Sequence, residues 1–170
     1  MQHRRLGRMV TAALLIALTV VASRFLSINT PIQRIGLSWL PVLIAGLLYG
    51  PLWGFIVGAL ADFIGATLFP FGAYFPGFTL SAGLSGAIVP WLLGRRWPDS
   101  PWKLLGAIAI SEIITSVILN TYWLTIITGK AAWAILPLRV SNAAVMIPVM
   151  TSIIYSLRKG LVRFLPDVPR

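Results

Sequence analysis

Leu37-Ser-Trp-Leu-Pro-Val-Leu-Ile-Ala-Gly-Leu-Leu-Tyr-Gly-Pro-Leu-Trp-Gly-Phe-Ile-Val-Gly-Ala-Leu-Ala-Asp-Phe-Ile-Gly-Ala-Thr-Leu-Phe69 is an apolar run that holds one charged residue, Asp62. A single helix of roughly 33 residues, at about 1.5 Å per residue, would overshoot a hydrocarbon core about 30 Å thick by more than half. The run therefore divides into two spans, and Gly50-Pro51 is its one break, since proline lacks a backbone donor and cannot continue the helix before it. Helix two is placed at 37–49 and helix three at 51–68, joined by a very tight turn. Helix two is short for a bilayer, so it must be tilted, partly buried or extended by neighbouring residues.

Outward from this stretch the composition has the same meaning. Of 170 residues 58% are hydrophobic and 11% charged, far from the roughly 25% charged of a soluble domain. The chain is an all-α integral membrane protein by this reading. Four further spans are expected at about 9–28, 76–94, 104–128 and 137–157, six in all, forming one membrane domain with a basic tail over 158–170. Met1 to Arg8 before the first run also has the form of a secretory or twin-arginine signal. The rest of the chain is itself multi-spanning and Arg24 would interrupt a cleavage region, so the first run is read as a membrane helix.

Six spans put both termini on one side, and charge says which. The two tails and the loop between helices four and five carry Arg4, Arg5, Arg8, Arg95, Arg96, Lys103, Arg158, Lys159, Arg163 and Arg170. The opposite loops hold only Arg34 and Lys130, with Arg139 just inside helix six. Positive charge marks the cytoplasmic side, so both termini are cytoplasmic and the loop 69–75 faces outward. The same short clusters account for the net charge of +10 without a nucleic-acid partner. Cysteine is absent and His3 is the only histidine, so no disulfide, metal site or cofactor is expected.

Chemistry concentrates at the outward mouth. Phe69-Pro-Phe-Gly-Ala-Tyr-Phe-Pro-Gly-Phe-Thr-Leu-Ser-Ala-Gly-Leu-Ser-Gly86 begins as a loop shaped by Pro70 and Pro76 and enters a helix near Pro76, which gathers Tyr74, Phe75 and Phe78 at the helix start. Charges within spans are few, namely Arg24, Asp62, Glu112 and Arg139, and each needs a partner or water. Asp62 suits an ion pair with Arg24 or Arg139 as well as it suits a ligand, and Glu112 is read as structural. From Glu112 the residues Thr115, Ser116, Asn120 and Trp123 follow at steps of three and four, a polar stripe facing protein or a cavity. Tyr122 and Trp123 fit an interfacial aromatic belt or the mouth itself. Arg139 and Asn142, one turn apart, are placed together in the pocket. Ala13-x-x-x-Ala17 on helix one and Gly54-x-x-x-Gly58 on helix three present small residues where helices can approach closely. No G-x-x-x-x-G-K-[ST] loop occurs, so any uphill transport needs energy from elsewhere.

Tyr74-Phe-Pro-Gly-Phe-Thr-Leu-Ser-Ala82, Leu40-Pro-Val, Tyr49-Gly-Pro-Leu-Trp-Gly and Asp62 together resemble the substrate-binding S-components of energy-coupling factor vitamin transporters, most closely the folate branch. The resemblance spans most of the chain and is densest over 37–86. It implies a non-catalytic subunit of a bacterial cell membrane that binds folate from outside, docks on a transmembrane coupling subunit through Ala13 and Ala17, and is driven by two partner ATPases. Folate combines a flat pterin with a benzoyl-glutamate, so its site should offer aromatic faces, hydrogen-bonding groups and cations. Tyr74, Phe75, Phe78 and Trp123 are assigned to stacking or lining, Thr79, Asn120, Asn142 and Asp62 to hydrogen bonds, and Arg34 and Arg139 to carboxylates. The loop 28–37 would cap the cavity and helices four to six would floor it. Pro90 departs from the family pattern and is expected to distort the inner end of helix four. An S-component for pantothenate, riboflavin or a cobalamin precursor is the alternative, and an intramembrane enzyme using Asp62 and Glu112 is disfavoured because the two lie at different depths.

Overall fold

The computed structural model describes residues 2–29, 34–70, 74–94, 100–129 and 131–164. Its elements are helix α1 (Gln2–Arg24), strands β1 (Ile28–Asn29) and β2 (Arg34–Ile35), then α2 (Trp39–Tyr49), α3 (Pro51–Leu68), α4 (Pro76–Leu93), α5 (Pro101–Glu112), a π-helical segment (Ile113–Leu119), α6 (Asn120–Thr128) and α7 (Ala132–Phe164). Because α5, the π segment and α6 form one continuous rod, the bundle has six rods. Five contain stretches long and apolar enough to cross a membrane, and Trp39–Tyr49 is a shorter apolar helix. Most large apolar side chains on α1, among them Leu6, Leu14, Leu18 and Val21, point out of the bundle, as lipid contact requires. Trp91 and Trp102 at one end and Trp133 at the other are likewise exposed, the pattern of interfacial aromatic belts.

The division at Gly50-Pro51 is as expected. Gly50 adopts φ 102°, open to glycine and strained for other residues, and Pro51 occupies the first turn of α3, where its missing donor costs nothing. Several boundaries differ from the expectation: helix one starts at Gln2 rather than 9 and helix two at Trp39 rather than 37. Helix one ends at Arg24 rather than 28, because Ile28 and Asn29 pair antiparallel with Ile35 and Arg34. Helix five begins at Pro101, after Ser100 in extended geometry, three residues before the expected 104. Helix six begins at Ala132, so Pro137 lies inside it and the expected loop over 129–136 shrinks to the turn at Gly129, φ 66°. It also runs on to Phe164, so 158–164 is helix rather than tail. Pro90 leaves α4 continuous to Leu93, where Gly94, φ 67°, donates back to the Pro90 carbonyl.

Three helices meet through glycine. A Cβ added to Gly54 of α3 would collide with the Gly86 carbonyl of α4, one at Gly86 with the Gly54 carbonyl, one at Gly46 of α2 with Gly86 again, and one at Gly58 with the Ala82 carbonyl. The Gly54 and Gly58 pair thus serves internal packing, letting α2, α3 and α4 approach backbone to backbone. Around this contact Leu43, Leu47, Val89, Leu104, Ile108, Met150 and Ile154 form a core that ties α2 and α4 to α5 and α7.

The short second helix shapes the rest. Eleven residues reach about 16 Å, roughly half of a bilayer core. Its first residue, Trp39, lines one cavity with Glu112 and Met150, which lie near the middle of their rods. Helix α2 therefore fills the bundle only from its middle to the Gly50 end. The other half, toward Tyr74 and Gly129, has five rods instead of six.

Candidate functional site

At that five-rod end α4 organises the aromatic residues. Phe75 is held extended, φ −133° and ψ 123°, by the proline that follows it, and Pro76 and Gly77 open the helix. Phe75 meets Phe78 edge-on with ring centroids 6.2 Å apart, and its centroid lies 5.5 Å from that of Trp123. Tyr122 packs against Trp123 at 5.0 Å. Trp123 is thus a wall residue contacting the α4 start, in addition to lying near a rod end where a belt residue would sit.

Opposite faces of α4 carry two hydroxyls with different tasks. Thr79 donates to Asp62 Oδ2 of α3 at 2.9 Å, and Tyr74 Oη lies 3.1 Å from the same Thr79 oxygen. With the Thr79 hydrogen committed to the carboxylate, Tyr74 is the donor in the second bond. Phe63 braces the Tyr74 ring edge-on at 5.8 Å. On the other face Trp123 Nε1 donates to Ser81 Oγ at 3.1 Å. Neither Gly77 nor Ser81 has a role that the sequence alone assigns. Their signal was present in the i, i+4 spacing, but nothing in the sequence says which helix they meet.

The polar stripe from Glu112 to Trp123 is parted by the π segment. A π turn closes from i to i+5, so the register on which 3.6-residue spacing relies is lost between Glu112 and Asn120. Glu112 hydrogen-bonds the Ser116 side chain and faces Arg139 electrostatically. Arg139, 6% exposed, donates through Nη1 to the Ser116 carbonyl at 3.0 Å. It reaches inward from α7 rather than out to the membrane surface, and Asn142 stands half-buried on the same helix. Thr115 turns back on its own helix, bonding the Ser111 carbonyl.

Asn120 Oδ1 and Thr121 Oγ1 are buried with no hydrogen-bond partner among the described residues. A buried acceptor left this way costs about 1–3 kcal/mol, so Asn120 Oδ1 is the atom of this region most in need of an outside donor. Deeper, a cavity of about 40 Å³ is lined by Trp39, Ser85, Ser111, Glu112 and apolar neighbours. Trp39 Nε1 is also buried there without a partner among the described residues. Trp39 was not among the residues expected at the site, and Glu112, expected to be structural, borders this cavity as well as holding Ser116.

Other expected residues fall elsewhere. Arg24 is buried against Gly65, where an added Cβ would lie 2.8 Å from its Nε, one turn beyond Asp62. The backbone of Arg34 is in β2, while its side chain, Lys130 and the loop residues 30–33 and 71–73 lie outside the described residues. Asp62 and Glu112 have separate partners, Thr79 in one case and Ser116 with Arg139 in the other, which leaves no acid–base couple between them. Among the described residues no group of His, Cys, Asp or Glu could hold a metal ion. Ala13 and Ala17 are both exposed on α1, on a face that no other helix covers among the described residues.

Residues 7–161 match the family model of the ECF transporter substrate-specific component. The folate transporter FolT of Clostridium novyi (strain NT) is 40% identical over 156 residues, covering 92% of this chain and 90% of the relative. The folate transporter FolT of Leuconostoc mesenteroides is 31% identical over 153 residues, with 87% and 82% covered. A crystal structure of FolT bound with folic acid superposes with a TM-score of 0.78 at 31% identity, covering 88% of this chain and 90% of the other. The S component of a bacterial ECF transporter, at 21% identity and a TM-score of 0.54, shares the fold.

Proposed function

The chain belongs to the ECF transporter substrate-specific components, and on that premise we propose that it is the folate-binding subunit of such a transporter, receiving the vitamin in the five-rod half of its bundle. The observation that carries this reading is the aromatic group Phe75, Phe78 and Trp123 on the same rod end as the unpartnered Asn120 Oδ1. Flat heteroaromatic rings are held by aromatic faces, and their ring N–H and amino groups need acceptors. Solved and curated relatives named for folate support the same ligand.

In this proposal Tyr74, Phe75, Phe78 and Trp123 line the pterin and benzoyl rings. Asn120 accepts from the pterin edge, and Asn142, Thr79 and Asp62 complete the polar contacts, the last two while holding Tyr74. Arg34 and Arg139 supply positive charge for the glutamate carboxylates. Arg8, Lys103 and Arg158 at one end of the bundle support a cytoplasmic side there, with the site opening outward in a bacterial cell membrane.

A substrate-binding subunit without a phosphate-binding loop depends on ECF partner subunits for energy. We assign docking on a transmembrane coupling subunit to Ala13 and Ala17, with two ATPases completing the assembly. Both alanines are exposed, and small residues let a partner helix come close.

Equilibrium binding to the purified chain in detergent, read by quenching of its seven tryptophans, tests the ligand. Saturable folate binding with none for pantothenate or riboflavin is expected. Saturation by one of those vitamins alone would overturn the folate reading and leave the fold intact.

A further inference from the structure

We infer that Ser81 and Gly77 are positioning residues for the ligand, acting through Trp123 by fixing the plane of its indole before any ligand arrives. The inference rests on the folate-binding reading above and adds to it how one wall of the site is made rigid.

Trp123 has two side-chain torsions, and the structure restrains both. Its Nε1 donates to Ser81 Oγ at 3.1 Å, which sets the direction of the N–H edge. Ser81 is 2% exposed, locked within α4 and unable to follow a moving ring. The face of the indole lies over Gly77, where an added Cβ would stand 2.5 Å from Trp123 Cδ2 and 2.6 Å from Phe75 Cε1. No side chain larger than hydrogen fits beneath the ring in this pose. Gly77 and Ser81 are four residues apart, so both face α6 from one side of α4. Phe75 and Tyr122 also pack against the ring, with centroids 5.5 and 5.0 Å from Trp123, which stays half-buried.

An aromatic wall helps binding most when its orientation is already correct, because no rotamer freedom is lost on association. Tyr74 receives a comparable anchor from Thr79 on the opposite face of α4. The first two turns of one helix thus set the planes of both aromatic walls. Ser81 differs from the unpartnered Asn120 Oδ1 in that its Oγ already accepts the Trp123 N–H, so its contribution passes through Trp123.

A double-mutant cycle on the full chain tests this. Ser81→Ala is expected to weaken folate binding about fivefold, the scale of one neutral hydrogen bond, and to have no further effect in a Trp123→Phe background, which keeps a ring but has no N–H to hold. Gly77→Ala, acting on the ring face, should weaken binding in the Trp123 chain more than in the Trp123→Phe chain. The emission of Trp123, isolated as the difference between each ligand-free chain and its Trp123→Phe counterpart, should shift when Ser81→Ala is introduced. Equal losses in both backgrounds, or an unchanged difference spectrum, would overturn the inference. Failure of the unmutated chain to bind folate would instead remove the folate reading, while the difference spectrum would still decide whether Ser81 holds the ring.

Discussion

Thr79 of α4 gives its hydroxyl hydrogen to Asp62 of α3 at 2.9 Å and takes one from Tyr74, 3.1 Å away, so that a single oxygen joins a membrane-embedded carboxylate to an aromatic wall of the site. A carboxylate inside a span is costly unless it has partners, and this one has a partner that also orients the pocket.

Thr79→Val keeps the branched shape and deletes the hydroxyl. Asp62 and Tyr74 then each lose a bond, and stability should fall by about 1–3 kcal/mol. A lowered melting temperature of the detergent-solubilised chain, together with weaker folate binding, is the expected result. An unchanged melting temperature would mean the carboxylate is satisfied elsewhere.

Asn120→Ala separates binding from folding. Its Oδ1 has no partner among the described residues, so the fold should lose little, whereas removing an acceptor for the ligand should cost folate affinity about tenfold. Titration and melting measured on the same sample check the contrast.

Glycines divide into two kinds. Gly86→Ala drives a Cβ into the Gly54 carbonyl and should destabilise by about 2–4 kcal/mol as α3 and α4 are forced apart. Gly106→Ala meets nothing within 4 Å and lies inside α5, so it should stabilise by about 0.5–1 kcal/mol through helix propensity. Thermal melting of the two variants side by side is the measurement.

Arg139→Met leaves Glu112 in the bundle without its opposite charge and removes the donor to the Ser116 carbonyl. A loss of about 3 kcal/mol or more is expected. Adding Glu112→Gln should recover part of it, since the remaining charge is then gone. A double variant that melts below the single one would show that the two residues do not act as a pair.

Ala13→Leu with Ala17→Leu fills the close-approach face of α1 without touching the aromatic site. Folate binding to the isolated chain should be unchanged, while co-purification with the coupling subunit and folate uptake by cells should be lost. Normal uptake would exclude this face from docking.

The parts of the fold that depend on length and polarity were legible in the sequence. An apolar run of about 33 residues cannot be one span, and Gly50-Pro51 was its only break, so α2 and α3 followed. The aromatic loop pointed to the site because Pro76 fixes both the extended Phe75 and the helix start. What escaped depends on contacts between distant residues. The π segment has no mark in Ile113-Ile-Thr-Ser-Val-Ile-Leu119, whose residues suit an α-helix equally well; the register change follows from packing against α4 and α7. Helix α7 takes in the expected loop with Pro137 inside it, since a proline there removes one backbone hydrogen bond, to the carbonyl of Trp133, and the helix continues past it. Ser81 and Gly77 carry no role legible in the sequence, because the residue they meet, Trp123, is more than forty positions away.

The brevity of α2 also bears on how ligand range can change within this architecture. Room for a guest here comes from ending one helix at mid-depth, so the surrounding rods stay helical and no core side chain is shaved to make space. Moving the first residue of α2 by a single turn would deepen or fill the chamber by about 5 Å while leaving the glycine contacts of the inner half untouched. Chamber depth and inner-half packing are thus separate variables in the sequence, one set before Trp39 and the other after Gly46.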